Sequence, residues 1–333
     1  MKNIDIARKL GVSTATVSLA LNNKAGVSKQ TKMQILELKT RDTYMSVSPS
    51  PVIQLVIHKK HGKIIDNKPF FANLVSTIQL EAMKYNYKLN VIHYFDGMDT
   101  NAFITALSSA NVIGNLILAT EMDSEDLEMY RKLHTPIVLL DSSFDLESYD
   151  SVIINNEDAI FQAVHYLIKK GHNSIGYLRS SVNISNFEHR YDGYRSALRY
   201  FGIENNPRPC YFLHCSMEQS YQDMKLILQS KNIILPSVFI CDLDYIALGA
   251  AKALIEAGYR IPNDISIMGF DDIDSCQIFN PPISTIHVNR DNIGSLAVQI
   301  LQQRITHPDQ AITTTRISSR LVERASIDTL VNS

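Results

Sequence analysis

From Val52 onward, short apolar runs alternate with amphipathic segments in which apolar residues recur at helical spacing. The runs include VIQLVIH, NLILAT, PIVLLD, SVFICDLD and DISIMGFDD. Strands that alternate with helices in this way form parallel sheets with helices on both faces, and this many strands indicates two sheets. The pattern predicts an α/β body made of two doubly wound parallel-sheet subdomains.

The first 40 residues, the head, show helical spacing only. Apolar residues recur at this spacing in DIARKL, Gly11 can end that helix in the left-handed conformation, and Ser13 can cap the next helix. A third helix, in KQTKMQILELK, follows the cap residue Ser28. The head is therefore predicted to be an all-α helix-turn-helix unit.

Charge is distributed unevenly between head and body. Residues 1–41 carry eight Lys or Arg against two Asp or Glu, so their net charge is +6 and the other residues carry −8 of the total −2. A basic segment indicates a polyanion partner, although lysines on a solvated helix face give the same pattern. The second helix has a small, polar N-terminal face, and such a helix can enter the major groove of double-stranded DNA.

Composition is that of a globular protein with more than one domain. The chain has 333 residues, 45% of them hydrophobic, and a mean hydropathy of −0.06. No apolar run is long enough to span a bilayer and the start lacks the apolar region of an export signal, so we expect a cytoplasmic protein. The four cysteines form neither a CxxC pair nor a zinc spacing. We therefore expect reduced thiols, no metal and no cofactor.

Polar side chains follow several of the predicted strands. They are His58, Asp141, Asp242, Asp244 and Asp271. Ligands of open α/β sheets bind beyond the carboxyl ends of the strands, so two adjacent sheets would gather these groups around one small ligand. An Asp at such a position can equally cap the following helix, and capping is the favoured interpretation for Asp244.

Enzyme signatures are missing from the sequence. It contains no G-x-x-x-x-G-K-[ST], G-x-G-x-x-G, G-x-S-x-G or H-E-x-x-H motif. Asp271 and Asp272 are adjacent, so their side chains are expected to diverge rather than flank a glycosidic bond. We predict that the protein is not an enzyme.

The string DIARKLGVSTATVSLALNNKAGVSKQTKMQIL resembles the DNA-binding head of the lactose-repressor (LacI) family of transcription regulators. The body is similar to the same family in PFFANL, HYLIKKGHNSIGYL, HRYDGYRSAL, GFDD, NPPISTIHV and RLVERAS. The resemblance implies subdomains like those of periplasmic sugar-binding proteins, a small effector in the cleft between them, and a homodimer. It also implies repression of carbohydrate-utilisation genes through a near-palindromic operator.

The resemblance implies seven DNA-binding residues in the second helix. Those that would position the helix on phosphates are Ser13, Thr16, Ser18 and Asn22, and those that would face bases are Thr14, Ala15 and Leu19. Leu19 departs from the family, because many members carry an arginine there that can pair with guanine. Such a pair contributes about 1–3 kcal/mol of discrimination between bases, so a different operator sequence or weaker binding is expected.

The resemblance also implies residues that contact the effector. Phe71 would pack on it, Arg190 would reach its hydroxyls or carboxylate, and Asp141 and Asp271 would accept from hydroxyls. Phe70 and Tyr245 are further candidates, beside the strand-end residues His58, Asp242 and Asp244. A sugar is the favoured effector. The basic string HKKHGK would suit a phosphorylated or carboxylated ligand, unless it is only a solvated loop.

The predicted domains are a head at 1–40, a linker at 41–51 and a body at 52–333. In the body, the N-subdomain would comprise about 52–155 plus 289–312, and the C-subdomain about 156–288 plus 313–333. The linker TYMSVSPSP is shorter than the family's hinge segment and its prolines disfavour helix. It is therefore predicted to lack the hinge helix that enters the minor groove, which would weaken operator binding or reduce bending.

Several alternatives stay open at this level. The chain could be a sugar or nucleoside receptor with weak DNA binding, or a regulator that responds to an anionic effector. The effector could release DNA or recruit it, because that sign depends on which conformation each ligand prefers. The sequence also leaves open a dimer or a tetramer.

Overall fold

The computed structural model describes residues 3–45, 50–65, 69–144, 149–203, 209–230 and 233–330, and describes side chains there except at 40–45 and 69–72. The chain divides into two compact units, Met1–Pro51 and Val52–Ser333. The first contains the head and the second is the body.

Three helices form the described part of the first unit, which are α1 (Asn3–Leu10), α2 (Thr14–Leu21) and α3 (Lys29–Met45). Gly11 has a φ of +65° in the turn between α1 and α2, as a left-handed helix end requires. The core residues shared by the three helices are Ile6, Ala7, Val17, Ala20 and Ile35. The predicted helix-turn-helix head is confirmed.

Helix α3 is longer than expected from the sequence. It continues to Met45, so residues 41–45, which were predicted to belong to the linker, are helical. Residues 46–49 lie outside the described residues. The missing hinge helix therefore stays a prediction.

The body contains all twelve described strands. They are β1 (Val52–Lys59), β2 (Lys88–Phe95), β3 (Val112–Leu118), β4 (Ile137–Leu140), β5 (Asp150–Ile154), β6 (Ile175–Ser180), β7 (Cys210–Leu213), β8 (Val238–Cys241), β9 (Ser266–Met268), β10 (Thr285–His287), β11 (Thr314–Ile317) and β12 (Arg320–Val322).

Helices connect most of these strands. They are α4 (Pro69–Lys84), α5 (Thr100–Leu107), α6 (Asn156–Lys169), α7 (Ser185–Tyr200), α8 (Met217–Leu228), α9 (Asp244–Glu256), α10 (Ser275–Ile278) and α11 (Arg290–Thr306), with a 3₁₀ helix at Glu125–Lys132. Among the residues described, no helix is long and apolar enough to cross a membrane.

The strands form two parallel sheets and one small antiparallel pair. The first sheet has the order β11-β5-β4-β3-β1-β2, the second has the order β7-β6-β8-β9, and β10 pairs with β12. Strands β4, β8 and β9 are buried along their whole length, as expected for parallel strands covered on both faces. The α/β prediction with two parallel-sheet subdomains is confirmed.

The last crossing between subdomains lies later than predicted. Strand β11 pairs with β5 in the first sheet, with Thr314 opposite Ser151 and Ile317 opposite Ile154. Residues 314–317 therefore belong to the N-subdomain, and the assignment of 313–333 to the C-subdomain was wrong there. The first crossing follows β5, and the second leads from β10 through α11 to β11.

Candidate functional site

The start of α2 presents the polar residues that were predicted to contact DNA. Ser13 has an extended backbone, and its hydroxyl accepts a hydrogen bond from the backbone amide of Thr16 at 3.0 Å. The two side-chain hydroxyls of Ser13 and Thr16 lie 2.8 Å apart. Ser13 is thus the N-cap of α2, a position at which backbone amides and hydroxyls remain available for a phosphate.

The other predicted DNA-binding residues lie along α2. Thr14, Ala15 and Asn22 are exposed, whereas Thr16, Ser18 and Leu19 are half-buried. Asn22 is the C-cap, and its side-chain amide donates to the carbonyl of Ser18 at 2.9 Å. The arrangement leaves one face of α2 accessible, but the contacts of these seven residues with DNA stay a prediction.

In the body, both subdomains enclose a small cavity of about 40 Å³, here called the inner pocket. Its polar lining residues are Thr120, Asp141, Asn186, Arg190 and Asp271. The structure therefore brings together three residues that the sequence analysis selected, namely Asp141, Arg190 and Asp271. A larger cavity of about 730 Å³, the outer chamber, shares Ile154 and Ile184 with the inner pocket. The two cavities together form the cleft.

Asp141 is a buried carboxylate with one oxygen left over. It directly follows β4 with a φ of +68°, and its Oδ2 accepts a hydrogen bond from the Thr120 hydroxyl at 2.7 Å. Its Oδ1 is buried without a hydrogen-bond partner among the described residues. Burial raises the pKa of Asp141 to about 6, against the opposing effects of the Thr120 hydrogen bond, the Arg190 charge and the nearby Asn186 side chain. A ligand donor at Oδ1 would satisfy this carboxylate.

Arg190 is held rigidly on α7 at the opposite wall. Its Nε donates to Oδ1 of Asn156 at 2.8 Å, its Nη1 donates to the carbonyl of Asp242, and its guanidinium carbon lies 3.5 Å from the centroid of the Phe270 ring. Its Nη2 makes no hydrogen bond to the residues that the structure describes. Because two of its nitrogens are fixed, the third can be offered to an oxygen of a ligand.

Asp271 lies after β9 and is bound by a residue of the N-subdomain. Arg290, the first residue of α11, donates from Nη2 to the carbonyl of Asp271 at 3.0 Å and lies 3.4 Å from its Oδ1. Asp271 has a φ of +118°, a strained value for a residue other than glycine. The inner pocket thus joins two aspartates and Arg190, with Arg290 behind one aspartate.

Two predicted ligand residues are corrected to core positions. His58 is buried against Tyr94, and its Nδ1 lies 2.9 Å from the hydroxyl of Tyr130, so it lines neither cavity. Asp242 is fully buried, where it accepts hydrogen bonds from the Tyr177 hydroxyl at 2.8 Å and the Ser180 amide at 2.7 Å. Both side chains are already satisfied inside the fold.

Asp244 and Tyr245 also lie outside the cavity linings. The carboxylate of Asp244 accepts from the Thr285 hydroxyl at 2.6 Å and the Ile273 amide at 2.9 Å. The N-cap of α9 is Leu243, so the capping interpretation of Asp244 was wrong as well. Tyr245 is half-buried in the first turn of α9 and lines neither cavity.

The remaining predictions fall on α4, and other lining residues were missed. Phe70 and Phe71 lie in the first turn of α4, and their side chains lie outside the described residues. The missed residues are Thr120, Asn156 and Asn186. The first two follow β3 and β5, so the same strand-end argument could have found them.

One charged group that lines the outer chamber is already paired. Lys60, within the basic string HKKHGK, forms ion pairs with Asp123 and, at 3.2 Å, with Asp126. Within the described ranges, no group of three or more His, Cys, Asp or Glu residues could hold a metal ion.

Two family models match the chain. Residues 4–39 match bacterial regulatory proteins of the lacI family, and residues 164–327 match a periplasmic binding protein-like domain. The chain is 28% identical over 334 residues to the HTH-type transcriptional repressor PurR of Haemophilus influenzae, with 98% of each chain covered. It is 27% identical to the PurR of Mannheimia succiniciproducens, with 97% of each covered.

Solved structures share this fold. A complex of the transcriptional regulator CelR with cellobiose matches with a TM-score of 0.72 and 21% identity, over 98% of this chain and 99% of that one. A lac repressor dimer bound to operator and the anti-inducer ONPF matches with a TM-score of 0.73 and 22% identity, over the same shares. A LacI family regulator from Enterococcus faecium with bound ribose matches with a TM-score of 0.70 and 24% identity, over 84% of this chain and all of that one.

Proposed function

We propose, since this chain belongs to the lacI family of bacterial regulatory proteins, that it represses transcription as an operator-binding homodimer controlled by a small polyhydroxylated ligand. The DNA part rests on the head, in which a capped helix presents small polar residues on a segment of net charge +6. Such a protein acts in the cytoplasm, where its operator is.

The observation that carries the ligand part is the pair of unused hydrogen-bonding atoms in the inner pocket. Oδ1 of Asp141 needs a donor, and Nη2 of Arg190 can supply a hydrogen bond to an acceptor. A hydroxyl group is both donor and acceptor, so adjacent hydroxyls of a sugar would meet both requirements. The regulators solved with cellobiose and with ribose support a sugar as the ligand class.

The sizes of the two cavities indicate how such a ligand would sit. The inner pocket of about 40 Å³ has room for a few atoms, whereas the outer chamber of about 730 Å³ has room for a whole sugar. We infer that the ligand places hydroxyls in the inner pocket and its remaining atoms in the outer chamber. Full burial of the ligand would then require the two subdomains to move apart and close again.

The homodimer rests on an apolar surface at the edge of the first sheet. On α4, Leu80 is 66% exposed and Met83 is 62% exposed, and on the edge strand β2 Phe95 is 48% exposed. Large apolar side chains on an accessible helix beside an open sheet edge are typical of a surface that a partner covers. The lac repressor neighbour is a dimer on its operator, which supports a second copy of this chain as the partner.

Selection of genomic DNA by the purified protein tests the proposal. Fragments of the source genome are incubated with the protein at moderate salt, and the retained fragments are sequenced. We expect enrichment of one or a few near-palindromic sites, because two heads of a dimer read two half-sites. Retained DNA that matches the input distribution would show that the head has no sequence preference and would remove the repressor proposal.

A ligand screen completes the test. Thermal unfolding is recorded with ribose, cellobiose, ribose 5-phosphate and adenosine, each at increasing concentration. A ligand of the native state raises the melting temperature in a saturable way. Stabilisation by a neutral sugar supports the proposed ligand class. Stabilisation by ribose 5-phosphate alone would favour the anionic effector instead.

A further inference from the structure

A buried carboxylate fills a ring of backbone amides in the wall of the outer chamber. The side chain of Glu121 is wholly enclosed. Its Oε2 accepts from the amides of His61 at 3.0 Å and Gly62 at 2.7 Å, and its Oε1 accepts from those of Ile64 at 2.8 Å and Ile65 at 3.1 Å. Four N–H groups of one short loop therefore converge on a single carboxylate.

Such a convergence of backbone amides is an anion-binding arrangement. The partial positive charges of successive N–H groups sum at one point, where an oxyanion satisfies all of them. Burial acts to raise the pKa of Glu121, but the amides of His61, Ile64 and Gly62 outweigh it and hold the pKa below its ordinary value. The carboxylate therefore stays ionised although it is buried.

This amide ring belongs to the cleft. Glu121, Lys60 and His61 line the outer chamber, and Ile64 lines the inner pocket. The positive charge of Lys60 is likewise met from within the chain, by its ion pairs with two aspartates. A negatively charged ligand entering the chamber, which Arg316 and His189 also line, would therefore find these amides occupied and Lys60 neutralised.

We propose that Glu121 is an internal anion that occupies a latent oxyanion site, formed by the amides of residues 61, 62, 64 and 65, and thereby keeps the phosphate or carboxylate group of a ligand away from these amides. The proposal rests on the proposed function only in taking the cleft as the effector site. Glu121 is thus a specificity-determining residue, because it decides whether this ring of amides is open to an anionic group of a ligand.

Removal of the carboxylate makes the site testable without any knowledge of the effector. Glu121→Ala deletes a CH₂ group and the carboxylate, which together have nearly the shape of acetate. The four amides would then lack an acceptor, at a cost of about 1–3 kcal/mol for each buried group left unsatisfied. Acetate or inorganic phosphate in solution can supply the missing oxygens.

Thermal unfolding of the full chain in three salts measures this rescue. The parent, Glu121→Ala and Glu125→Ala are compared in chloride, acetate and phosphate at equal ionic strength and pH. Glu125 is an exposed carboxylate nearby in the chain, so its variant controls for the loss of one negative charge. Because phosphate stabilises folded proteins in general, the shift in melting temperature of each variant is compared with the shift of the parent in the same salt.

We expect Glu121→Ala to unfold at a lower temperature than the parent in chloride. Acetate should raise the melting temperature of this variant by about 2 °C or more above the rise that acetate causes in the parent. Rescue by phosphate as well would show that the site takes tetrahedral oxyanions, whereas rescue by acetate alone would restrict it to carboxylates. Equal shifts in all three proteins would overturn the proposal.

A second variant and a refolding experiment distinguish loss of the anion site from a general failure to fold. Glu121→Gln keeps the side-chain length but turns an NH₂ group toward two N–H donors, so it should be destabilised and should not respond to anions. If Glu121→Ala does not fold in chloride, refolding from urea in acetate replaces the melting experiment, and no recovery in acetate counts against the site. Rescue by acetate, together with a screen in which no sugar stabilises the protein, would refute the proposed sugar effector but still support the oxyanion site.

Discussion

At the residue scale, Arg190 and Asp141 differ in how they affect the stability of the ligand-free protein. Arg190 makes contacts that stabilise the body as well as offering Nη2 to the inner pocket. Asp141 has a buried oxygen that no described residue satisfies. A side chain that is unfavourable in the ligand-free protein, yet well placed for a ligand, is typical of a binding site.

Arg190→Met and Arg190→Lys separate these contributions. Methionine removes the charge and leaves the Asn156 oxygen and the Asp242 carbonyl without their donor, so we expect a lower melting temperature and at least a 10-fold loss of affinity for a stabilising sugar. Lysine keeps the charge without the planar fork and should restore little of the affinity. A sugar that stabilises Arg190→Met as strongly as the parent would show that it binds elsewhere.

Asp141→Asn should stabilise the ligand-free protein and weaken ligand binding. The ordinary pKa is 3.8 and the folded value is about 6, so the native state binds the proton more tightly than the unfolded state. Burial of the ionised carboxylate therefore lowers the free energy of unfolding by its full amount above pH 6. This destabilisation disappears as the pH falls toward 4. At 1.36 kcal/mol per pKa unit, the free energy of unfolding of Asp141→Asn should exceed that of the parent by about 2–3 kcal/mol at neutral pH.

Urea unfolding between pH 5 and pH 8 checks this prediction, with the exposed Asp309→Asn as the control. The stability difference between Asp141→Asn and the parent should shrink as the pH is lowered. A difference that stays constant over this range would mean that Asp141 does not titrate as its burial indicates.

At the element scale, α2 and α3 begin with the same capping arrangement, and only one of them is predicted to touch DNA. Ser13 accepts from the Thr16 amide at 3.0 Å, and Ser28 accepts from the Thr31 amide at 3.1 Å. In both caps the two hydroxyls lie 2.8 Å apart. The two caps are therefore a matched pair within one head.

Ser13→Ala and Ser28→Ala should each lower the stability of the head by about 1 kcal/mol, because each removes an N-cap hydrogen bond. Only Ser13→Ala should also weaken DNA binding beyond what the stability loss explains. Thermal unfolding and DNA titration of both variants give the comparison. Equal losses of DNA affinity would indicate that Ser13 acts only as a cap.

Periodicity was sufficient to predict the elements, but not the side-chain partners at their ends. The helix-turn-helix and the two parallel sheets follow from local patterns of apolar residues and glycine. By contrast, Asp242 and Asp244 are strand-end aspartates like Asp141, and they differ only in which distant hydroxyls and amides they meet. That difference depends on tertiary packing, which a single sequence does not encode locally.

The same limit explains the two boundary errors. Helix α3 continues past residue 40 to Met45, and β11 joins the first sheet through its pairing with β5. Long-range strand pairing sets the position of β11, and its sequence TTRI has no feature that selects one sheet over the other. Glu121 was missed because the four amides that hold it come from a loop some sixty residues away in sequence.

At the scale of the whole molecule, the proposed dimer rests on the apolar surface of α4 and β2. Leu80→Glu combined with Met83→Lys should shift the protein toward monomers, and it should reduce affinity for a two-half-site operator far more than affinity for one half-site. Ile234→Lys replaces an exposed apolar residue outside α4 and β2 and serves as the control. Analytical ultracentrifugation measures the shift, and an unchanged dimer in the double variant would place the interface elsewhere.

A ligand in the cleft is proposed to change operator binding, and an anisotropy titration measures this coupling. A labelled operator fragment and a scrambled fragment are titrated at two salt concentrations, with and without a stabilising sugar. We predict at least 10³-fold preference for the operator, affinity that falls with salt, and a change of fivefold or more on adding sugar, which is lost in Arg190→Met. Equal affinity for both fragments would exclude an operator-specific repressor, and an operator affinity that the bound sugar leaves unchanged would exclude control by that sugar.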